Sequence, residues 1–255
     1  MHSLYAAIVL WGGSACLFYQ YLMDAVFVFS RASLIFKLIV CGLICSIVES
    51  TLVVGFLYMD LDSTANSILS VFVALFWFLM IQITTILHVK RISSMGYYMW
   101  FDKYMRYLPL VIGCLEVPTV VCIILDGFNV IPMNEDGIAI GYYDIFSILF
   151  AGISILVELI LYWFLYLKLK FILEYKPNLL SKLIFHINVM LGVIVITEVA
   201  VIVAKSCHTV LDLSIRPLTQ LLRIYVIIQF YSDLILGIDT DMHASDSKRS
   251  FHQLV

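Results

Sequence analysis

Five charged side chains lie within stretches of sequence that are otherwise apolar enough for a lipid bilayer. They are Glu49, Glu116, Glu158, Glu198 and Arg223. A charge at the centre of a bilayer is costly unless it is paired or hydrated, so such residues mark ion pairs, polar cavities or ion pathways. Two interpretations are open. The five residues form structural ion pairs and interhelical hydrogen bonds, or they line a path for a ligand, an ion or a proton.

The stretch at 66–91 shows which kind of element holds these residues. Its sequence, NSILSVFVALFWFLMIQITTILHVKR, carries no charge before His88, Lys90 and Arg91. A helix rising about 1.5 Å per residue crosses the hydrocarbon core, about 30 Å thick, within such a stretch. Six further stretches resemble it. The sequence therefore predicts an all-α membrane protein, a seven-transmembrane-helix bundle with helices at about 5–29, 34–59, 66–89, 108–125, 145–167, 183–204 and 217–237.

Composition supports the same class of protein. The 255 residues are 63% hydrophobic and 13% charged, and the mean hydropathy is +1.03, which lies outside the soluble globular range. We expect one membrane domain at 1–238 and a disordered polar tail at 239–255. The connection at 126–144 has a turn sequence flanked by apolar residues, which predicts a small β-hairpin.

Helices 6 and 7 follow each other in the chain and run antiparallel, so Glu198 and Arg223 can meet at a similar depth. Glu49 in helix 2 is an alternative partner for Arg223. His88 falls at a predicted helix end, which favours an interfacial position. Pro217 is expected to open helix 7, since proline suits the first turn of a helix.

The basic residues indicate the orientation. Most of the 15 Lys and Arg lie in the connections after helices 1, 3 and 5 or in the tail, whereas the opposite side holds Lys205 and Arg216. The positive-inside rule then places the N-terminus outside and the C-terminus in the cytoplasm. We expect a cytoplasmic partner, acidic protein or anionic lipid, to contact a basic face made of Lys90, Arg91, Lys103, Arg106, Lys168, Lys170, Lys176 and Lys182.

The sequence favours a non-enzymatic protein. It contains no H-E-x-x-H and no G-x-S-x-G motif, and its six histidines are scattered. Helix 7 has Arg223 but no lysine to form a Schiff base with retinal. We therefore expect no catalytic residue, no metal, no cofactor and no nucleic-acid partner.

Seven helices, an outer N-terminus and a Lys-rich connection between helices 5 and 6 resemble the G-protein-coupled receptor superfamily in topology. Where that family has Asp-Arg-Tyr after helix 3, this sequence has His88-Val89-Lys90-Arg91. Where it has Asn-Pro-x-x-Tyr in helix 7, this sequence has Gln229-Phe230-Tyr231-Ser232-Asp233. The resemblance implies a receptor in the plasma membrane or an internal membrane, with a ligand between the outer halves of helices 2, 3, 6 and 7 and a signalling protein such as a G protein inside.

Two other functions remain open at this point. A small transporter or channel for ions, protons or solutes would use Glu49, Glu116, Glu158, Glu198 and Arg223 as its polar path. A membrane adaptor would use the same residues only to fix how its helices pack.

Overall fold

The structure is a computed structural model that describes residues 2–30, 33–58, 63–93, 103–128, 142–172, 177–206 and 211–242. Those residues form helices and contain no strand, which confirms the all-α prediction. The seven long helices are α1 (His2–Val28), α2 (Leu34–Tyr58), α3 (Ser63–Ser93), α4 (Leu108–Gly127), α5 (Tyr142–Ile172), α6 (Pro177–Ser206) and α7 (Leu211–Met242).

In the part of the chain that the structure describes, five stretches are long and apolar enough to cross a bilayer. They coincide with or overlap α2 to α6, at Leu34–Gly55, Ser67–Ser93, Lys103–Leu125, Ile148–Lys170 and Leu183–Ala204. Lipid offers backbone N–H and C=O groups no partner, so a spanning segment satisfies them internally by forming a helix. The outer surface of the bundle is apolar as well, with Phe27 80% and Ile196 68% exposed. The protein is an integral membrane protein.

Neighbours in sequence are neighbours in space throughout the bundle. Each helix packs against the next, and α1 also packs against α7, which closes the arrangement. α3 contacts α2, α4, α5 and α7, while α7 contacts α1, α2, α3 and α6. The central position of α3 and α7 explains why both carry polar side chains on buried faces.

Gly42 on α2 shows how closely these central helices approach. A Cβ atom built there would lie 2.9 Å from Ile224 Cδ1 on α7 and 3.1 Å from Ile83 Cγ2 on α3. Both isoleucines belong to the buried apolar core that α1, α2, α3, α5, α6 and α7 share. The absence of a side chain at Gly42 therefore lets α2 pack against both helices at once.

Most predicted helix bounds are extended by a few residues in the structure. The prediction that Pro217 opens helix 7 is wrong, because α7 begins at Leu211 and Pro217 lies inside it. Proline cannot donate a backbone hydrogen bond, and here its own carbonyl accepts one from Ser46 Oγ at 3.1 Å. The final helix also reaches Met242, beyond its predicted end.

Two predictions fall largely outside the described residues. The β-hairpin was expected at 126–144; its ends are helical, in α4 and α5, and 129–141 is not described. The tail beyond 242 is not described either, nor are Arg31 and Lys176.

Candidate functional site

Arg223 on α7 joins three helices through its guanidinium group. Its Nη2 lies 2.7 Å from Glu198 Oε1 on α6 and donates to Ser154 Oγ on α5 at 2.8 Å. Its Nε lies 3.4 Å from Glu158 Oε1, also on α5. All three charged residues are at most 7% exposed. The predicted Glu198–Arg223 pair is therefore present, and a second carboxylate shares the same arginine.

Gln220 connects this group to α3. Arg223 Nη1 donates to Gln220 Oε1 over a long 3.5 Å, and Thr84 Oγ1 on α3 lies 3.2 Å from the same oxygen. Thr84 also bonds back to Met80 O at 2.9 Å. Because a hydroxyl has one hydrogen, Thr84 can donate to the Met80 carbonyl or to Gln220 Oε1 but not to both at once. The contact nevertheless places Gln220 between α3 and Arg223.

His88 continues the network along α3. Its Nε2 lies 3.8 Å from Glu158 Oε1, and its Nδ1 lies 3.0 Å from Arg91 Nη2. The ring is 1% exposed and meets the Tyr162 ring edge-on at 6.4 Å. His88 lies inside the bundle, because α3 continues past it to Ser93. Its depth in the membrane, and with it the expected interfacial position, stays a prediction.

Two residues of the predicted basic face are buried. Arg91 is 0% exposed and Lys168 2% exposed. The Arg91 guanidinium lies 5.2 Å from the centre of the Tyr162 ring and 5.5 Å from that of Phe230. Lys168 Nζ on α5 donates to the Ile92 carbonyl at 2.8 Å, near the C-terminal end of α3. Both cations therefore hold helices together instead of facing a partner.

Four other members of that basic face are exposed, namely Lys90, Lys103, Arg106 and Lys170. The side chains of Lys176 and Lys182 lie outside the described part of the structure. Lys90 lies in the last turn of α3, Lys103 and Arg106 precede α4, and Lys170 lies in the last turn of α5. We call these four exposed residues the basic rim.

A small cavity of about 20 Å³ adjoins the network, enough for about one water molecule. Its polar lining comes from Ser154, Glu198, Arg216, Thr219 and Gln220, and its aromatic lining from Trp77 and Phe150. It lies between α3, α5, α6 and α7. The cavity shares α3, α6 and α7 with the expected ligand position and has α5 in place of α2. Whether a ligand binds there stays a prediction.

Glu49 and Glu116 form a second group away from Arg223. They are 2% and 0% exposed, and each interacts electrostatically with Arg216 on α7. Arg216 also lies over the Trp77 ring, 4.5 Å from its centre. Among the described residues, Glu49 is therefore grouped with Arg216, and its predicted alternative pairing with Arg223 is not found. Arg216 had been assigned to the outer loops because the true start of α7 was missed.

Helical spacing accounts for how the network is built. Thr84, His88 and Arg91 are separated by four and three residues on α3, and so are Arg216, Gln220 and Arg223 on α7. Residues three or four apart share a helix face. This spacing is visible in the sequence and could have revealed His88, Arg216 and Gln220 as buried partners of the five predicted charges.

The network brings together groups that hold charge and groups that can exchange protons. Arginine is cationic in proteins, whereas a carboxylate and an imidazole can each bind and release a proton. In the described ranges no group of three His, Cys, Asp or Glu residues could hold a metal ion.

Comparison with known proteins gives no relative. No protein-family model matches the chain, and neither a curated protein nor a solved structure matches it.

Proposed function

We propose that this protein is a receptor-like heptahelical integral membrane protein, with its N-terminus outside and its C-terminus in the cytoplasm. α1 has 27 residues and α7 has 32, more than the about 20 that a span requires. They complete seven spans with the five apolar stretches of α2 to α6. The plasma membrane suits this role, since an outer ligand would reach the cavity there.

One observation carries the receptor proposal, a chain of contacts that runs from the cavity to the end of α3. Glu198 lines the cavity and pairs with Arg223; Arg223 contacts Glu158, Glu158 faces His88, and His88 contacts Arg91. The contacts pass through α6, α7, α5 and α3 in that order. A change at the cavity that moves Glu198 would therefore alter the balance of contacts around Arg91, beside the basic rim.

The small cavity favours a receptor over a transporter. Its volume of about 20 Å³ admits about one water, and below it the network consists of direct contacts between side chains. Transport requires a route that opens on both sides of the membrane. A signal requires only that the ligand binds one of two helix arrangements more tightly than the other. Ligand binding would enlarge the cavity by moving α6 relative to α5.

A proton channel or transporter is the second candidate. The observation that favours it is the 3.8 Å approach of His88 Nε2 to Glu158 Oε1, since both groups can bind and release protons. The same pair could pass a proton if a water entered between the two side chains. Flux measurements distinguish this candidate from a receptor.

The receptor proposal is tested by nucleotide exchange on purified heterotrimeric G proteins of several classes, with the full chain in nanodiscs. We expect Glu198→Gln to raise basal exchange on at least one class, because it weakens the link between the cavity and Arg223. Adding Lys103→Glu and Arg106→Glu to that variant should abolish the gain, since the basic rim would no longer attract an acidic partner.

The matched control adds Lys37→Glu to Glu198→Gln, which reverses the charge of an exposed residue on α2. Exchange that is unchanged by Glu198→Gln with every G protein would count against G-protein coupling. Equal loss of exchange with Lys37→Glu would show that the effect of the rim variants is not specific to that surface.

A further inference from the structure

The His88 ring lies between a cation and a carboxylate. Its Nδ1 is 3.0 Å from Arg91 Nη2, and its Nε2 is 3.8 Å from Glu158 Oε1. Both contacts are buried in a part of the bundle where His88 and Arg91 are at most 1% exposed. The two ring nitrogens therefore face groups of opposite charge, and each can respond differently to a proton.

Arg91 fixes which nitrogen of the neutral ring carries hydrogen. A guanidinium group has only donors, so Nδ1 must accept its hydrogen bond through a lone pair. A neutral imidazole then carries its hydrogen on Nε2. That N–H faces the Glu158 carboxylate, at a distance too long for a hydrogen bond but short enough to close by a small rotation of either side chain.

We propose that His88 is a proton-binding site whose occupancy decides whether the ring holds Arg91 or Glu158. A proton taken from water can add only at Nδ1, because Nε2 already carries hydrogen. Nδ1–H then meets the N–H groups of Arg91, so that hydrogen bond is lost and two cations stand side by side. The charged ring at the same time gains an ion pair with Glu158.

The charged groups around His88 come from three helices. On its own helix it faces Arg91; on α5 it faces Glu158 and the Tyr162 hydroxyphenyl ring; on α7 the Arg223 charge acts on it. No described contact of His88 involves a charged side chain from α2 or α4. Proton binding therefore redistributes contacts between α3, α5 and α7 only.

Loss of the hydrogen bond between His88 and Arg91 loosens the end of α3. Arg91 otherwise lies against Tyr162 on α5 and Phe230 on α7, and its neighbour Lys90 belongs to the basic rim. Repulsion from a charged His88 weakens that packing, and the last turn of α3 opens more often. This consequence does not depend on signalling, so it can be true or false whichever way the receptor proposal is decided.

The first test reads the ring directly by ¹⁵N NMR of the full chain in nanodiscs, with labelled histidine. The His88 signal is the one missing from His88→Gln and still present in His186→Gln, which removes a histidine from α6. We expect the pattern of hydrogen on Nε2 alone in the neutral ring, and of hydrogen on both nitrogens once acidification protonates the ring. Hydrogen on Nδ1 in the neutral ring, or a ring that stays neutral down to the pH at which the protein unfolds, would overturn the proposal.

The second test measures amide hydrogen exchange of residues 86–93 by mass spectrometry, comparing variants at the same pH. On proton uptake we expect wild type to exchange about tenfold faster than His88→Gln, the effect of losing roughly one hydrogen bond. Glutamine is the control because it can accept from Arg91 at every pH. Equal exchange in the two proteins would overturn the proposal.

Arg91→Met provides a second variant in case His88→Gln does not fold. His88 should still titrate in Arg91→Met, but exchange at 86–93 should no longer follow its protonation. Exchange that still follows protonation in this variant would show that Arg91 is not the group released.

Discussion

Arg223 Nη2 on α7 lies 2.7 Å from Glu198 Oε1 on α6, with both side chains buried. The same guanidinium is 3.4 Å from Glu158 on α5. Two carboxylates thus depend on one arginine, at the point where α5, α6 and α7 meet.

Removal of Arg223 should destabilise the protein more than removal of either carboxylate. Arg223→Gln leaves Glu158 and Glu198 buried without their cation, a loss of about 3 kcal/mol or more. Glu158→Gln and Glu198→Gln each leave Arg223 with the other carboxylate and should cost less. The order of Tm values in one detergent measures this.

A triple variant serves as the control for that prediction. Arg223→Met with Glu158→Gln and Glu198→Gln removes all three charges, so no buried charge stays unpaired. It should recover part of the Tm lost in Arg223→Gln alone. A triple variant less stable than the single one would show that these charges are not energetically coupled.

Lys168 and Lys170 should differ sharply although they are two residues apart on α5. Lys168→Met removes the donor to the Ile92 carbonyl and leaves a buried acceptor unpaired, at a cost of about 1–3 kcal/mol. Lys170→Met changes an exposed side chain and should cost less than about 0.5 kcal/mol. Thermal unfolding of the two variants measures the difference. Equal Tm values would contradict the buried position of Lys168.

Gly42 should tolerate a methyl group less well than a glycine with open space around it. The added Cβ in Gly42→Ala would meet Ile224 Cδ1 at 2.9 Å and Ile83 Cγ2 at 3.1 Å, so both side chains must shift, and this offsets part of the gain in helix propensity. Gly13→Ala is the matched change, because a Cβ there has nothing within 4 Å. It should leave Tm unchanged or raise it slightly through helix propensity. A Gly42→Ala protein as stable as Gly13→Ala would mean that α2 lies farther from α3 and α7.

The proposed orientation can be tested by labelling introduced cysteines with a membrane-impermeant thiol reagent. In a Cys207→Ser background, Ser3→Cys should react in intact cells, whereas Lys103→Cys should react only after permeabilisation. The native cysteines Cys16, Cys41, Cys45, Cys114 and Cys122 lie within helices, where we expect the membrane or neighbouring helices to keep an impermeant reagent away. The reverse labelling pattern would put the N-terminus in the cytoplasm.

The sequence was sufficient to predict where the helices lie because α2 to α6 each carry a long apolar stretch. It also predicted the Glu198–Arg223 pair, since consecutive antiparallel helices bring residues of similar depth together. It could not reveal that Glu158 shares Arg223, because α5 and α7 are not consecutive and their contact depends on how the bundle closes.

The errors have a related cause. Arg91, Lys168 and Arg216 were assigned to loops on the assumption that a helix ends where its charges begin. Long cationic side chains can instead be buried at helix ends when a carbonyl accepts their hydrogen bond or an aromatic ring packs against them. Here the Ile92 carbonyl accepts from Lys168, and the Tyr162 and Trp77 rings pack against Arg91 and Arg216. Which rings and carbonyls lie nearby is set by packing between helices, and local sequence does not contain that information.

The central claim is that the buried charges form a contact chain for signalling and not a path for ions. The most direct measurement is proton and ion flux in proteoliposomes that contain the wild-type protein, Arg223→Gln or Glu158→Gln, with empty liposomes as the baseline. The account predicts no flux above that baseline in any of the three samples. Wild-type flux above it that either substitution changes would contradict the receptor proposal and make the network a pathway.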